Sequence, residues 1–136
     1  MVNGLGHIAI KVKDIERSID FYCNKLGLKE AFRLNDENGQ LMLVYIKVAE
    51  MQFIELFPNG KDNITDDNLS GFKHICLHVD DIFSTLKELE NKGVTIDKQP
   101  TMGLDGNYQY WIKDADGNLI ELMQIMPDSL QAKSDI

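Results

Sequence analysis

A chain of 136 residues with 43% apolar residues and a net charge of −8 is long enough to bury roughly two-thirds of its unfolded surface, and its acidity leaves no basic stripe for nucleic-acid binding. Its apolar runs are short and strand-like, none near the ~20 residues that span a membrane, and no basic segment followed by an apolar core opens it, so neither a membrane partner nor a secretory signal is expected. The two cysteines, Cys23 and Cys76, make no disulfide framework and are expected to be buried thiols in a reducing, cytoplasmic setting.

From Leu5 to Val12 the residues alternate, with Ile8, Ile10 and Val12 on one face and His7, Ala9 and Lys11 on the other. This is a strand pattern, and it points His7 away from the aliphatic layer. Asp14 is placed to cap a helix whose stripe is Ile15, Ile19, Tyr22 and Leu26 and whose stop is Gly27. Strands are expected over 29–34, 40–48 and 51–57, the first two separated by the turn Asn35-Asp36-Glu37-Asn38-Gly39. The first unit therefore reads β-α-β-β-β over about 5–58. Residues 58–71, rich in Asn, Asp, Gly and Ser, read as a linker.

The same order then returns over about 73–126. A strand over 73–80 precedes a helix from Asp81, with Ile82, Leu86 and Leu89 as its stripe and Gly93 as its stop. A strand is expected over 94–98, an irregular loop over 100–107, and strands over 108–113 and 118–125 around the turn Asp114-Ala115-Asp116-Gly117. The polar tail 127–136 is expected to fray.

The two units are copies. His7-Ile8-Ala9-Ile10-Lys11-Val12-Lys13-Asp14-Ile15 returns as His74-Ile75-Cys76-Leu77-His78-Val79-Asp80-Asp81-Ile82 at an offset of 67 (74 − 7 and 82 − 15), and Ile54-Glu55-Leu56 returns as Ile120-Glu121-Leu122 at an offset of 66 (120 − 54). Strand parity puts Glu55 on the face of Phe53 and Phe57, and Glu121 on the face of Leu119 and Met123. A carboxylate among large apolar side chains is costly to bury unpaired, and two of them at matching places ask for a shared cation. If each sheet curls, His7, Glu55, His74 and Glu121 converge on one point. Two imidazoles and two carboxylates suit a divalent ion, with Zn, Ni, Co, Mn and Fe(II) all admitted by ligand type.

These motifs resemble the vicinal oxygen chelate superfamily (glyoxalase, bleomycin resistance protein and dioxygenase), and within it glyoxalase I (lactoylglutathione lyase). The resemblance is carried by His7-Ile8-x-Ile10-x-Val12, Arg17-Ser18-Ile19-Asp20-Phe21-Tyr22, Leu26-Gly27-Leu28, Ile54-Glu55-Leu56, Gly71-Phe72-Lys73-His74-Ile75 and Asp116-Gly117-Asn118-x-Ile120-Glu121-Leu122, together spanning residues 5–125. It implies an α+β fold of two tandem βαβββ modules forming a curved mixed sheet around a metal-binding cleft. It also implies a metal held by the equivalents of His7, Glu55, His74 and Glu121, with Ni, Co or Zn ahead of Mn or Fe. Many glyoxalases draw the first two ligands from one subunit and the last two from its partner, so a homodimer with shared sites is expected.

The activity implied is isomerisation of a 2-oxoaldehyde thiohemiacetal, such as methylglyoxal with a thiol, to a 2-hydroxyacyl thioester, a detoxification. Glu121 is the expected base, and Glu55 could serve the mirror-image substrate. Asn59 falls where the family contacts glutathione. Lys11 stands where an arginine often grips the glutathione carboxylate, and Lys73 replaces a small residue before the second histidine. Lysine is a point charge without arginine's fork, which leaves the thiol open. Tyr110 and Trp111 alternate on one strand, and Trp111 is the expected pocket wall. An acyl-CoA epimerase, an extradiol-type dioxygenase and a metal-free drug-binding protein stay open as alternatives.

Overall fold

Alternating side chains build the first strand, β1 (His7–Lys11), in which Ile10 is buried while His7, Ala9 and Lys11 face outward. The computed structural model describes residues 1–62 and 68–134, divided into two units, Met1–Asp66 and Asp67–Ile136. In the first unit the Asp14 carboxylate caps helix α1 (Ile15–Ile19) by accepting from the Arg17 N–H. The helix then widens into a π-helical segment, Asp20–Lys25, closed by Leu26 N–H donating to Phe21 O at 3.0 Å and by Gly27 at φ +75°. Bonding to the fifth preceding residue turns the following side chains away from 3.6-residue spacing. The expected stripe holds at Tyr22, which is buried together with Ser18 and Phe21, and is corrected at Ile15, Ile19 and Leu26, which are only half-buried.

Strands β2 (Lys29–Asn35), β3 (Leu41–Ala49) and β4 (Gln52–Phe57) complete a mixed sheet in the order β1-β4-β3-β2, with β1 parallel to β4 and the other pairs antiparallel. Tyr22, Val12, Val44, Ile46, Ile54 and Leu56 are all but inaccessible and form its core.

The second unit repeats this topology. Strands β5 (Ile75–His78), β6 (Thr101–Met102), β7 (Tyr108–Lys113) and β8 (Leu119–Gln124) form a sheet ordered β5-β8-β7-β6, again with the first pair parallel. Helix α2 (Ile82–Asn91) is capped by Asp81 and buries the expected Ile82, Leu86 and Leu89, beside Ile112, Ile120 and Leu122 of the same core. The architecture is α+β, with one four-stranded sheet in each unit.

Three expectations for the second unit are corrected. Residues 94–98 form no strand; Pro100 offers no N–H to a ladder, and the segment is tied instead by Asp97, whose N–H donates to the Tyr110 hydroxyl at 3.3 Å. The loop 100–107 is not irregular. Gly103 N–H donates to Asn107 O at 2.8 Å and Gly106 N–H to Gly103 O at 3.0 Å, matching Asp36 N–H to Gln40 O and Gly39 N–H to Asp36 O in the first unit. The repeat thus runs through this turn as well. Finally, the tail does not fray over 127–134. Ser129 caps a short helix, α3 (Leu130–Lys133), and Leu130 N–H donates to Asp105 O at 2.7 Å.

Of the segment read as a linker, residues 63–67 lie outside the described residues, as do 135 and 136 of the tail. Among the described residues no helix is long and apolar enough to cross a membrane.

Candidate functional site

In the first unit, β1 and β4 lie side by side with His7 opposite Phe53 and Ala9 opposite Glu55. His7 and Glu55 thus stand two rungs apart on the face away from the aliphatic core, and His7 Nε2 comes to 3.1 Å from Glu55 Oε2. The second unit builds the same pair. Cys76 lies opposite Glu121 on β5 and β8, and His74, just before β5, places Nε2 3.1 Å from Glu121 Oε2. Both carboxylates are buried, Glu55 at 8% and Glu121 at 7% exposure, while the imidazoles are more open. A nearly buried carboxylate needs donors or a cation, and each has one imidazole at hydrogen-bonding distance.

The donor set suits a divalent ion. Two atoms each ~2.1 Å from one ion lie roughly 3.0 Å apart when the angle between them is near 90°, close to the spacing of each pair. Each unit supplies two such donors. Among the described residues no group of three or more His, Cys, Asp or Glu is gathered as a metal cluster.

The neighbours of the two glutamates come from matching positions and differ in chemistry. Tyr45 on β3 is the register partner of Glu55, and Trp111 on β7 that of Glu121. The Tyr45 ring stands edge-on to His7 with centroids 5.9 Å apart, and Trp111 edge-on to His74 at 4.7 Å. Tyr45 also stacks on Phe32 at 4.3 Å and meets Phe53 edge-on, so this face of the first sheet is aromatic. Its hydroxyl is hydrogen-bonded to Glu55, and that bond, with lesser help from desolvation and charge, raises the Tyr45 pKa. Tyr45 escaped the reading of the sequence. The 66-residue offset that pairs Glu55 with Glu121 also pairs Tyr45 with Trp111, and would have found it.

Tyr110, alternating with Trp111, turns to the core side and is buried at 7% exposure, its hydroxyl bonded to Asp97. Lys11 is exposed on the face of His7, and His78 occupies the matching place in the second unit. Asn59 holds a positive φ of 66°, which asparagine tolerates, and turns the chain so that Gly60 N–H reaches Val12 O at 2.8 Å. Lys13 closes the same corner by pairing with Asp62 at 2.6 Å, which lowers the Asp62 pKa.

Both cysteines are free thiols, as expected, but neither is fully buried. Cys23 is half-buried and Cys76 is exposed. Strand parity explains the second, since Cys76 lies between His74 and His78 on the outward face of β5. Partial desolvation, the Glu121 charge and a hydrogen bond to it, and Asp105, push the Cys76 thiol up to about 11. It therefore stays protonated near neutral pH and is a poor nucleophile.

The sequence and the fold both have counterparts among known proteins. A family model described as the Glyoxalase/Bleomycin resistance protein/Dioxygenase superfamily matches residues 4–122. The chain belongs to this superfamily. It is 34% identical to a "Probable lactoylglutathione lyase" of Synechocystis, over 87% of this chain and 92% of that protein. It is also 30% identical to the human "Methylmalonyl-CoA epimerase, mitochondrial", over 88% of this chain and 73% of that protein. Among solved structures, a superfamily member from Sphaerobacter thermophilus superposes with a TM-score of 0.71 at 28% identity, over 91% of this chain and 98% of that one. Two relatives with different names at similar identity leave the reaction to be argued from the site.

Proposed function

We propose that this superfamily member is a metal-dependent isomerase of the glyoxalase I type, acting on the thiohemiacetal of a 2-oxoaldehyde such as methylglyoxal and a thiol. The observation that carries the reading is the twice-built His–Glu pair, each with Nε2 and Oε2 3.1 Å apart. In the homodimer we infer, His7 and Glu55 of one subunit join His74 and Glu121 of the partner subunit around one divalent ion, with Ni, Co or Zn preferred and Mn or Fe admitted by ligand type. Each unit supplies two donors, half of a four-donor set, so two units must meet to complete it. When bound, the ion supplies Lewis-acid stabilisation of negative charge on two neighbouring substrate oxygens.

The side chains do the rest. Glu121 takes the proton from the carbon bearing sulfur and returns it to the adjacent carbonyl carbon, so that a thiohemiacetal becomes a 2-hydroxyacyl thioester with no net gain or loss of protons. Glu55 is placed to do the same for the substrate of opposite hand. Trp111, at 39% exposure, offers an apolar wall beside His74. Lys11 and Asn59, both exposed, are assigned to the polar end of the thiol. A cytoplasmic role in methylglyoxal detoxification goes with this reading.

Replacing Glu121 with Gln keeps the shape and removes the base. The turnover of the methylglyoxal–glutathione adduct should fall by about 10²- to 10⁴-fold at saturating metal; unchanged turnover would remove Glu121 from the reaction. A second reading, acyl-CoA epimerisation, is favoured by the match to the human epimerase. It needs the same base, which would then exchange the α-proton of methylmalonyl-CoA with deuterated solvent. Exchange without conversion of any thiohemiacetal would select it.

A further inference from the structure

Helix α2 borders a cleft that the His–Glu pairs do not use. Ile82, Leu86 and Leu89 turn into the core, but Phe83, one residue outside that stripe, stays 51% exposed and meets Tyr108 of β7 edge-on with ring centroids 5.5 Å apart. Residues four and seven positions apart share one side of a helix, so Phe83, Lys87 and Glu90 form a line along α2. The segment that follows the helix runs back beside this line. Between them lies a cleft of about 280 Å³ whose walls include Phe83, Lys87, Glu90, Ile96, Lys98 and Pro100.

The lining decides what such a cleft can hold. Phe83, Ile96 and Pro100 give it an apolar part, with an aromatic ring held in place by Tyr108. Lys87 from the helix and Lys98 from the returning segment bring two cations to one cleft on a chain of net charge −8. Neither lysine enters an ion pair found among the described residues. A lysine stem covers apolar surface while its ammonium stays in water, so an anion can be met here without breaking an internal bond. Glu90 offsets one of the two charges and leaves the lining at +1 (two lysines, one glutamate), which suits one negative charge and resists two. Ligand cavities commonly start near ~300 Å³, so the space admits one small ring and not a nucleotide or a peptide.

We propose that the cleft between α2 and residues 96–100 is a binding site for a small aromatic monocarboxylate, with its ring against Phe83 and Pro100 and its carboxylate between Lys87 and Lys98. The site is separate from the His–Glu pair of the same unit, because α2 packs on β7 and β8 from the core side while Glu121 lies on their outward face. It therefore stands independently of the isomerase reading.

The test uses the full chain and benzoate, followed by amide chemical shifts in two-dimensional NMR. Benzoate should shift the amides of 83–90 and 96–99 saturably, with a Kd of about 1 mM or tighter. Benzamide, which keeps the ring without the charge, and acetate, which keeps the charge without the ring, should each bind at least about tenfold more weakly, and phthalate, with two charges, should bind more weakly than benzoate. Lys87→Met and Lys98→Met keep most of each stem and should each raise the benzoate Kd by about three- to tenfold, with Phe83→Ala doing the same from the apolar side. Glu90→Gln should narrow the preference for benzoate over phthalate.

All four substitutions are at exposed positions, and unchanged amide shifts away from the cleft confirm that each variant is folded. No saturable shift at 10 mM benzoate overturns the proposal. So does acetate binding as tightly as benzoate, which would mark a general affinity for anions, and so does benzoate affinity that neither lysine variant changes. Shifts centred on 74–78 and 119–123 would put the ligand at the His–Glu face and overturn it as well.

Discussion

Asn107 gives the most direct test of how the second unit is held together. It is fully buried, and its side chain makes four contacts: Oδ1 accepts from Met126 N–H at 2.9 Å, and Nδ2 donates to Gln131 Oε1 at 3.0 Å, Asp105 Oδ2 at 3.3 Å and the Met123 sulfur at 3.3 Å. These bonds hold the 103–107 turn to the C-terminal segment and to β8, the strand that carries Glu121. Replacing Asn107 with Ala loses three ordinary hydrogen bonds at about 1 kcal/mol each, and the Met126 N–H left without its acceptor adds a further ~1 kcal/mol. A loss of about 4 kcal/mol is a large share of the ~5–15 kcal/mol that stabilises a domain, and it should lower the melting temperature by roughly 15 °C at ~4 °C per kcal/mol. Urea unfolding measures the loss, and limited proteolysis reports whether residues after Met126 become cleavable. A variant within about 0.5 kcal/mol of the parent, with its C-terminal segment still protected, would refute the reasoning.

Other perturbations test separate parts of the structure. Gly60→Ala would put a Cβ 3.0 Å from both Val12 C and Val12 O; the corner holding Asn59 should open at a cost of about 1–3 kcal/mol, and under the proposed function KM for the thiol adduct should rise more than kcat falls. Arg33 bonds Glu30 and Glu16 on the surface, and its bond to Glu30 lowers the Glu30 pKa. The folded-state value lies below the unfolded one, so this stabilisation is present above the ordinary carboxylate range and lost as pH falls through it. Arg33→Met should therefore cost under ~1 kcal/mol at neutral pH and nothing in acid, and a cost that grows on acidification would contradict the sign. Gly106→Ala combines a φ of +85° with a Cβ 3.2 Å from Ser129 Cα, and circular dichroism melts should show it destabilised by more than about 1 kcal/mol.

How much of this was legible in the chain follows from what each signal depends on. Side-chain alternation and local capping are properties of a few consecutive residues, so the outward face of His7, the Asp14 cap and the buried stripe of α2 could be read directly. The tandem repeat added the long-range step, because two copies with a His and a Glu in matching places imply one topology used twice.

Other features depend on neighbours distant in sequence. The π-helical segment that buries Phe21 beside Tyr22 leaves no mark in apolar spacing. The unpaired stretch 94–98 and the docking of α3 are settled by Tyr110 and Asn107, whose partners Asp97 and Gln131 lie 13 and 24 residues away. Tyr45 meets Glu55 only because β3 pairs with β4 in one register, and a slip of one residue would have turned its side chain to the opposite face. Residue order alone determined the two-copy plan and which side chains point outward; the pairing of strands decided which of them touch, because hydrogen-bond register, not sequence separation, sets the distance between a phenol, an imidazole and a carboxylate.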